Sequence, residues 1–498
     1  MSLIKVTDLT FCYDGSFDNV FENMNLQIDT DWKLGFIGRN GRGKTTFLKL
    51  LMGEYDFRGT ISASVSFEYF PYRVEDSSRN TLDILSEISG GAEEWQLLRE
   101  TGKLLVPQDA LARPFHSLSN GEQTKVLLCA MFLRNNSFLL IDEPTNHLDM
   151  EGRAALSKYL DGKCGFILVS HDRDFLDHCV DHILSINRAN IDVQTGNFSS
   201  WQYNKTMQDN LELSQNESLK KEIRRLESSA RRTSDWSDKV EKTKIGTRNS
   251  GLRPDKGYIG HKSAKMMKRS KSIEARQASV IEEKSRLLKN IDEADELKLH
   301  PLKFRAQRLV LLDKVSLYYG GKAVCENISF AVELGDRIAL RGRNGSGKSS
   351  VLKLICGESP VYSGALSIGS NLKISYVSQD TSFLSGNLSD YASRQGIDES
   401  LFKAILRKLD FERSQFEKDM SDYSGGQKKK VLIAKSLSEE AHLYLWDEPL
   451  NFVDVLSRMQ IERLLLEYKP TILFVEHDKT FCDHVATKIV RLPVDDAK

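Results

Sequence analysis

One octapeptide occurs twice in this chain, and few features constrain a fold more. Gly38-Arg-Asn-Gly-Arg-Gly-Lys-Thr45 returns as Gly342-Arg-Asn-Gly-Ser-Gly-Lys-Ser349, 304 residues later. The offset persists: Ser119 in Leu-Ser-Asn-Gly-Glu matches Ser424 in Tyr-Ser-Gly-Gly-Gln, Asp142-Glu143-Pro144 matches Asp447-Glu448-Pro449, and His171-Asp172 matches His477-Asp478, at 305, 305 and 306. Four islands repeated in one order are a tandem duplication.

The octapeptide is a phosphate loop. Its glycines Gly38, Gly41 and Gly43 (Gly342, Gly345 and Gly347 in the second copy), with Asn40 and Asn344 among them, let backbone N–H groups close on phosphate oxygens. Lys44 or Lys348 reaches the outer oxygens, Thr45 or Ser349 coordinates magnesium, and Thr46 and Ser350 open a predicted helix in each copy. Apolar runs at 138–141, 166–169, 443–446 and 472–475 lack polar alternation, which predicts buried parallel strands and an α/β fold in each half. Ligands of open α/β sheets bind beyond the carboxyl ends of the strands. Asp142 and Asp447 stand at such ends, suited to hold magnesium through water. Glu143 and Glu448 follow them and can orient or deprotonate a water attacking a γ-phosphate. His171 and His477 also follow strands and can contact that phosphate; a lone histidine there is usually structural, but the recurrence favours a role.

Residues 201–305 read differently, between a first domain at 1–200 and a second at 306–498. Leu219, Ile223, Leu226 and Ala230, then Ile273, Val280, Leu287 and Ile291, recur at helical spacing around a tip rich in Gly and Pro at about 243–261. Two long helices folded into a projecting hairpin are expected. The chain balances 70 Lys+Arg against 70 Asp+Glu, yet residues 219–289 hold 21 against 9. A charge run is commonly just a solvated helix face. Here Trp236, Tyr258, Ile259, Met266 and Met267 sit among cations that include Lys244, Arg248, Arg253, Lys256, Lys262 and Lys265, a mixture suited to RNA phosphates and bases.

Composition then narrows the setting. At 498 residues, 40% apolar and 28% charged, the sequence is that of a globular protein of two or more domains. Its longest apolar run, Val126 to Leu133, is too short to span a bilayer. Seven scattered cysteines without a Cys-x-x-Cys pair suggest neither a disulfide framework nor a metal cluster, and no secretory leader is recognisable, so a cytoplasmic protein is expected.

Together these motifs resemble the nucleotide-binding cassette of ABC proteins, over about four-fifths of the chain. The resemblance implies two P-loop NTPase domains packed head to tail within a monomer, each clamping ATP and Mg2+ against the serine-glycine segment of the other. One composite site would join Lys44, Thr45, Asp142, Glu143 and His171 to Ser424, Gly425 and Gly426. The other would join Lys348, Ser349, Asp447, Glu448 and His477 to Ser119, Asn120 and Gly121. Tyr13 and Tyr319 stand where the family stacks an aromatic on adenine, though a tyrosine there is often only core or rim. Gln379 stands where it contacts magnesium. Three positions depart from the pattern: Tyr72 replaces that glutamine in the first cassette, Asn120 replaces a glycine, and Tyr423 replaces a leucine. Both sites are expected to hydrolyse ATP, at unequal rates.

The segment Asp142-Glu-Pro-Thr-Asn-His-Leu-Asp149, two cassettes in one chain and the basic linker resemble the ABC-F translation factors. The Trp446-Asp-Glu-Pro-Leu-Asn451 and Tyr423-Ser-Gly-Gly-Gln-Lys-Lys-Lys430 variants are similar to Lsa-type antibiotic-resistance members. The 47 residues from Tyr72 to Ser119 leave no room for an arm insertion, and no DNA-binding tail is expected after His477. What this implies is a factor that binds the 70S ribosome at the E site. Its linker would press toward 23S rRNA and the P-site tRNA to displace lincosamide, streptogramin A or pleuromutilin drugs, and hydrolysis would release it. An ABC-F factor without a drug role, and a transporter-energising ATPase subunit, are the alternatives.

Overall fold

A computed structural model of the chain describes residues 2–15, 19–146, 148–186, 191–242, 268, 297–319, 321–343, 345–358, 361–411 and 413–492. It divides into two compact units, Met1–Trp201 with Ala294–Lys498, and Gln202–Glu293.

The first unit holds both copies of the duplication, each with a small antiparallel sheet and a larger sheet that carries the motifs. In the first copy the strands are β1 Leu3–Phe11, β2 Phe21–Asp29, β3 Lys33–Gly38, β4 Arg58–Ser62, β5 Ser66–Phe70, β6 Ser137–Asp142, β7 Phe166–Val169, β8 His182–Ile186 and β9 Ile191–Thr195. The small sheet runs β2-β1-β4 and the large one β5-β6-β7-β3-β8-β9, parallel except for the β8–β9 pair. The second copy has β10 Arg308–Tyr319, β11 Lys322–Glu333, β12 Arg337–Arg341, β13 Val361–Ile368, β14 Ile374–Val377, β15 Leu443–Asp447, β16 Ile472–Val475 and β17 Lys488–Arg491. Its sheets run β11-β10-β13 and β14-β15-β16-β12-β17, the latter wholly parallel.

The four apolar runs became β6, β7, β15 and β16, and all four residues of β7 and of β16 are buried. That is the burial expected of parallel strands covered on both faces. Because β3 and β12 lie inside their sheets, the phosphate loops that follow them open at the carboxyl edge, and the helices Lys44–Leu51 and Lys348–Ile355 start directly after. The long apolar run falls in the helix Asn120–Phe132, where Val126 through Met131 are all buried. A helix apolar on every side belongs inside a core. The first cassette's core also takes in Val455 of the second, flanked by Leu456 and Met459, so the cassettes share buried surface.

The helix Phe198–Lys242 begins with Phe198 and Trp201 in the core of the first cassette and continues as the described part of the second unit. Its 45 residues correspond to about 67 Å of helix at 1.5 Å per residue. Leu219, Ile223, Leu226 and Ala230 lie within it. The expected returning helix and tip, with Lys244, Arg248, Arg253, Lys256, Tyr258, Lys262, Lys265 and Met266, fall outside the described residues, as does the Trp236 side chain.

Candidate functional site

The phosphate loops are built on backbone that favours glycine. Gly41, Gly43, Gly345 and Gly347 have φ of +83°, +86°, +81° and +85°, in the left-handed region that L side chains rarely adopt. Lys44 Nζ donates to the carbonyls of Gly38 and Arg39 at 2.7 and 3.1 Å, and Lys348 Nζ to those of Gly342 and Arg343 at 2.9 and 2.8 Å. Each ammonium is thus held inside its own loop. Asn344 of the second loop lies outside the described residues. Tyr13 reaches the first loop's helix, its hydroxyl 2.6 Å from Thr46 Oγ1, with its ring against Phe11 and Tyr55. Tyr319 is exposed at the end of β10.

The carboxylates sit at the strand ends. Thr45 Oγ1 and Tyr69 OH both donate to Asp142 Oδ2, at 2.9 and 3.1 Å. Asp447 is 1% exposed, and the nearest hydroxyl to its buried carboxylate is that of Ser349. Burial pushes its carboxyl up to about 6, and the neighbouring Glu448 charge adds to the rise. A hydroxyl beside a buried carboxylate is a hard-oxygen donor set, and it fits a magnesium ion. Among the described residues no cluster of His, Cys, Asp and Glu offers a closed all-protein metal site, so an ion here would share its ligands with phosphate and water.

Glu143 and Glu448 have φ of +51° and +47°. A left-handed non-glycine residue is uncommon and costs of order 1–3 kcal/mol. Its occurrence at the same place in both copies aims each side chain back toward a histidine: His171 Nε2 is 3.3 Å from Glu143 Oε1, and His477 Nε2 is 3.3 Å from Glu448 Oε1. The two glutamates are electrostatically opposite. Burial, reinforced by Asp142, drives Glu143 up to about 8. Burial also works against the Glu448 charge, but the hydrogen bond and charge of His477, then Lys348 and Lys429, outweigh it and hold Glu448 below its usual range. Gln379 Nε2 and Asn451 Nδ2 donate to Glu448 Oε2 at 2.9 and 2.7 Å, so Gln379 meets the glutamate rather than Asp447. Burial, with the charges of Lys44 and Arg458 close by, holds His171 well below its usual range, so it is neutral.

Ser119 and Ser424 cap their helices, accepting from the N–H groups of Glu122 and Gln427, whose side chains return the bond. The second of these helix starts faces the first phosphate loop. Asn40 Nδ2 donates to the carbonyl of Phe452 at 2.8 Å across the cassette boundary. A Cβ on Gly426 would stand 2.4 Å from that carbonyl and 3.0 Å from Asn40 Nδ2, so only glycine fits there. Lys44 feels the charge of Asp454 in the second cassette, and Lys348 that of Asp149 in the first. Each phosphate-loop lysine thus lies in the field of an aspartate of the other cassette. Tyr72 and Asn120 line one cavity of about 450 Å³ with Phe70, Phe115 and His116.

Five participants escaped the sequence reading. Asp149 and Asp454 cap helices and face the opposite lysines. Arg458 bears on Glu143 and His171 from across the boundary, Asp410 pairs with Arg39 and Arg42 at 3.2 and 3.8 Å, and Lys429 is buried beside Asp447. A signal existed for the two aspartates, which repeat at an offset of 305 like the other islands.

A family model described as "ABC transporter" matches residues 21–146 and 325–451, together just over half of the chain. The chain belongs to this family. It binds and hydrolyses ATP. Among curated relatives, the ATP-binding protein Uup of Buchnera aphidicola (subspecies Acyrthosiphon pisum) is 26% identical over 519 residues, covering 98% of this chain and 80% of its own. The Energy-dependent translational throttle protein EttA of Escherichia coli K12 is 26% identical over 525 residues, covering 95% and 89%. The chain is similar to both relatives over nearly its whole length and carries two ABC cassettes in tandem. The archaeal ribosome recycling factor aABCE1, solved in complex with ribosomal stalk protein aP1, shares the fold at a TM-score of 0.62 and 18% identity over 98% of this chain and 88% of that one. No helix among the described residues is long and apolar enough to cross a membrane.

Proposed function

We propose that this tandem ABC ATPase is an ABC-F protein that acts in the cytoplasm on the ribosome, and that its linker relieves inhibition by drugs of the peptidyl-transferase centre. The observation that supports the reading is the contact of the cassettes beside their phosphate loops, with Asn40 on Phe452 and with Lys44 and Lys348 in the fields of Asp454 and Asp149 of the opposite cassette. ATP bound there touches both cassettes at once. A ligand shifts a conformational equilibrium only through contacts that differ between its states, and a nucleotide shared across the boundary has them. In each site the phosphate loop binds the phosphates, Glu143 or Glu448 orients the attacking water and takes its proton, and the neighbouring histidine positions that glutamate. Magnesium held near Thr45 and Asp142, or Ser349 and Asp447, supplies charge neutralisation of the phosphates.

Support for the ribosome comes from EttA, whose name makes it a translational throttle, and from the basic linker, where 21 cations against 9 anions suit a phosphate-rich surface. Support for a drug role comes from the Lsa-like motif variants. The chain works as a monomer in this reading, since both sites are completed internally. The test of the drug role is deletion of residues 243–261. The truncated protein keeps its ATPase activity and ribosome binding but no longer protects translation from a lincosamide, a streptogramin A or a pleuromutilin. Undiminished protection refutes the linker's part. A translation factor without a drug role, which the EttA likeness favours equally, shows no protection even from the full-length protein.

A further inference from the structure

The second ATP site contains a buried cation that the first lacks. Lys429 is 3% exposed and lies on the helix Gly425–Ser438. Its Nζ donates to the carbonyl of Ser378 at 2.9 Å and of Asp447 at 3.4 Å. Ser378 directly precedes Gln379, and Asp447 directly precedes Glu448, and those two side chains are themselves joined at 2.9 Å. One ammonium therefore ties together the two segments that present the site's polar groups. Burial works against its charge, and the carboxylates of Asp447, then Glu476, Glu448 and Asp380, act to retain it. At the matched position the first cassette has Thr124, also buried but uncharged and too short for such a tie. There the carboxylate Asp142 is held instead by the neutral hydroxyls of Thr45 and Tyr69.

We infer that Lys429 is a positioning residue and resident counter-ion of the second ATP site, which holds Gln379 and Glu448 in place and makes that site bind its divalent cation less tightly than the first. The inference rests on the reading of both sites as Mg-ATP sites. A fixed positive charge beside Asp447 and Glu448 already neutralises part of the field that would attract a second cation, and it repels that cation directly. At the first site no lysine takes this place, and among the described residues Lys44 of the phosphate loop is the one cation bearing on Asp142, whereas Asp447 feels both Lys348 and Lys429.

The test uses the full chain in two single-site forms, Lys44→Ala to leave the second site and Lys348→Ala to leave the first. Binding of a fluorescent ATP analogue is followed as magnesium chloride is titrated. The second site shows the higher magnesium midpoint. Lys429→Met in the Lys44→Ala form lowers that midpoint by about threefold or more, as removal of a nearby like charge requires, while Lys429→Arg, which keeps the charge, leaves it in place. Thr124→Lys in the Lys348→Ala form raises the first site's midpoint, and this arm decides the matter if Lys429→Met does not fold. Unmoved midpoints with the analogue still bound overturn the role of Lys429 and leave the ATP sites standing. Failure of both single-site forms to bind the analogue at any magnesium concentration overturns the site reading and this inference with it.

Discussion

Across the cassette boundary, Arg39 and Arg42 of the first phosphate loop reach Asp410, 3.2 and 3.8 Å away in the second cassette. Asp410 follows the helix Glu399–Lys408, which matches Glu94–Lys103 at an offset of 305, so its counterpart is Leu105, 72% exposed. The second loop's Arg343 instead meets Glu151 at 3.4 Å, with both side chains in solvent. A half-buried acid between two arginines resists screening, whereas an exposed pair contributes about 0–1 kcal/mol. Inside the cassettes the order reverses: the second site has Gln379 and Asn451 on Glu448 and Lys429 beneath, while the first has Tyr72 in place of the glutamine. The first site is secured from across the boundary and the second from within. Duplicated motifs therefore need not mean duplicated behaviour.

Removing the glutamates tests this contrast most severely. Glu143→Gln with Glu448→Gln is expected to lower ATP turnover by about 10²–10⁴, the range for loss of a general base. The single variants lose unequal shares, measured by phosphate release. Equal losses break the comparison, and undiminished turnover in the double variant removes the role of both residues. Next in size, Asp410→Leu copies the first cassette's residue and abolishes the latch. It is expected to raise the ATP concentration needed to fill the first site by about fivefold, equivalent to about 1 kcal/mol for a half-buried pair, read with the Lys348→Ala form. No shift would show that the latch carries no energy.

Much of this was legible locally. A phosphate loop needs contiguous glycines, and a buried parallel strand needs a contiguous apolar run, so β6, β7, β15, β16 and the loop helices could be placed from short windows. Asp410 could not, because nothing in its neighbourhood shows that Arg39 and Arg42, far away in sequence, lie opposite. Lys429 stood in plain view in a Lys-Lys-Lys run, but charge runs ordinarily face solvent, and only the packing of helix Gly425–Ser438 against β14 and β15 shows it is buried. Thr124, its counterpart, is equally hidden. The left-handed Glu143 and Glu448 gave no sign either, since that conformation is imposed by the strand-to-turn geometry rather than by their own preference.

The two helical layers provide a smaller test. In the first, Glu100 is 1% exposed and bonds Lys103, Lys163 and Tyr159 at 2.6, 2.7 and 2.9 Å. In the second, the matching residue is the buried Ile405. Burial alone would raise the Glu100 carboxyl, but its three partners hold it at about 2. A depressed folded value gives stability that is present above the unfolded value near 4.5 and is lost as the pH falls from there toward 2. Glu100→Gln is expected to lower the melting temperature of the first cassette by roughly 2–4 °C near neutrality. The gap narrows when the pair is compared at pH 3.5. A gap that persists there would place the effect in packing rather than charge.

The central claim is that ATP shared between the cassettes shapes the protein for a ribosome. Its most direct measurement is sedimentation of the Glu143→Gln, Glu448→Gln protein with purified 70S particles. With ATP the protein pellets with the ribosomes, and with ADP it stays in the supernatant. Protein left in the supernatant under both nucleotides, while ATP binding is intact, would contradict the account.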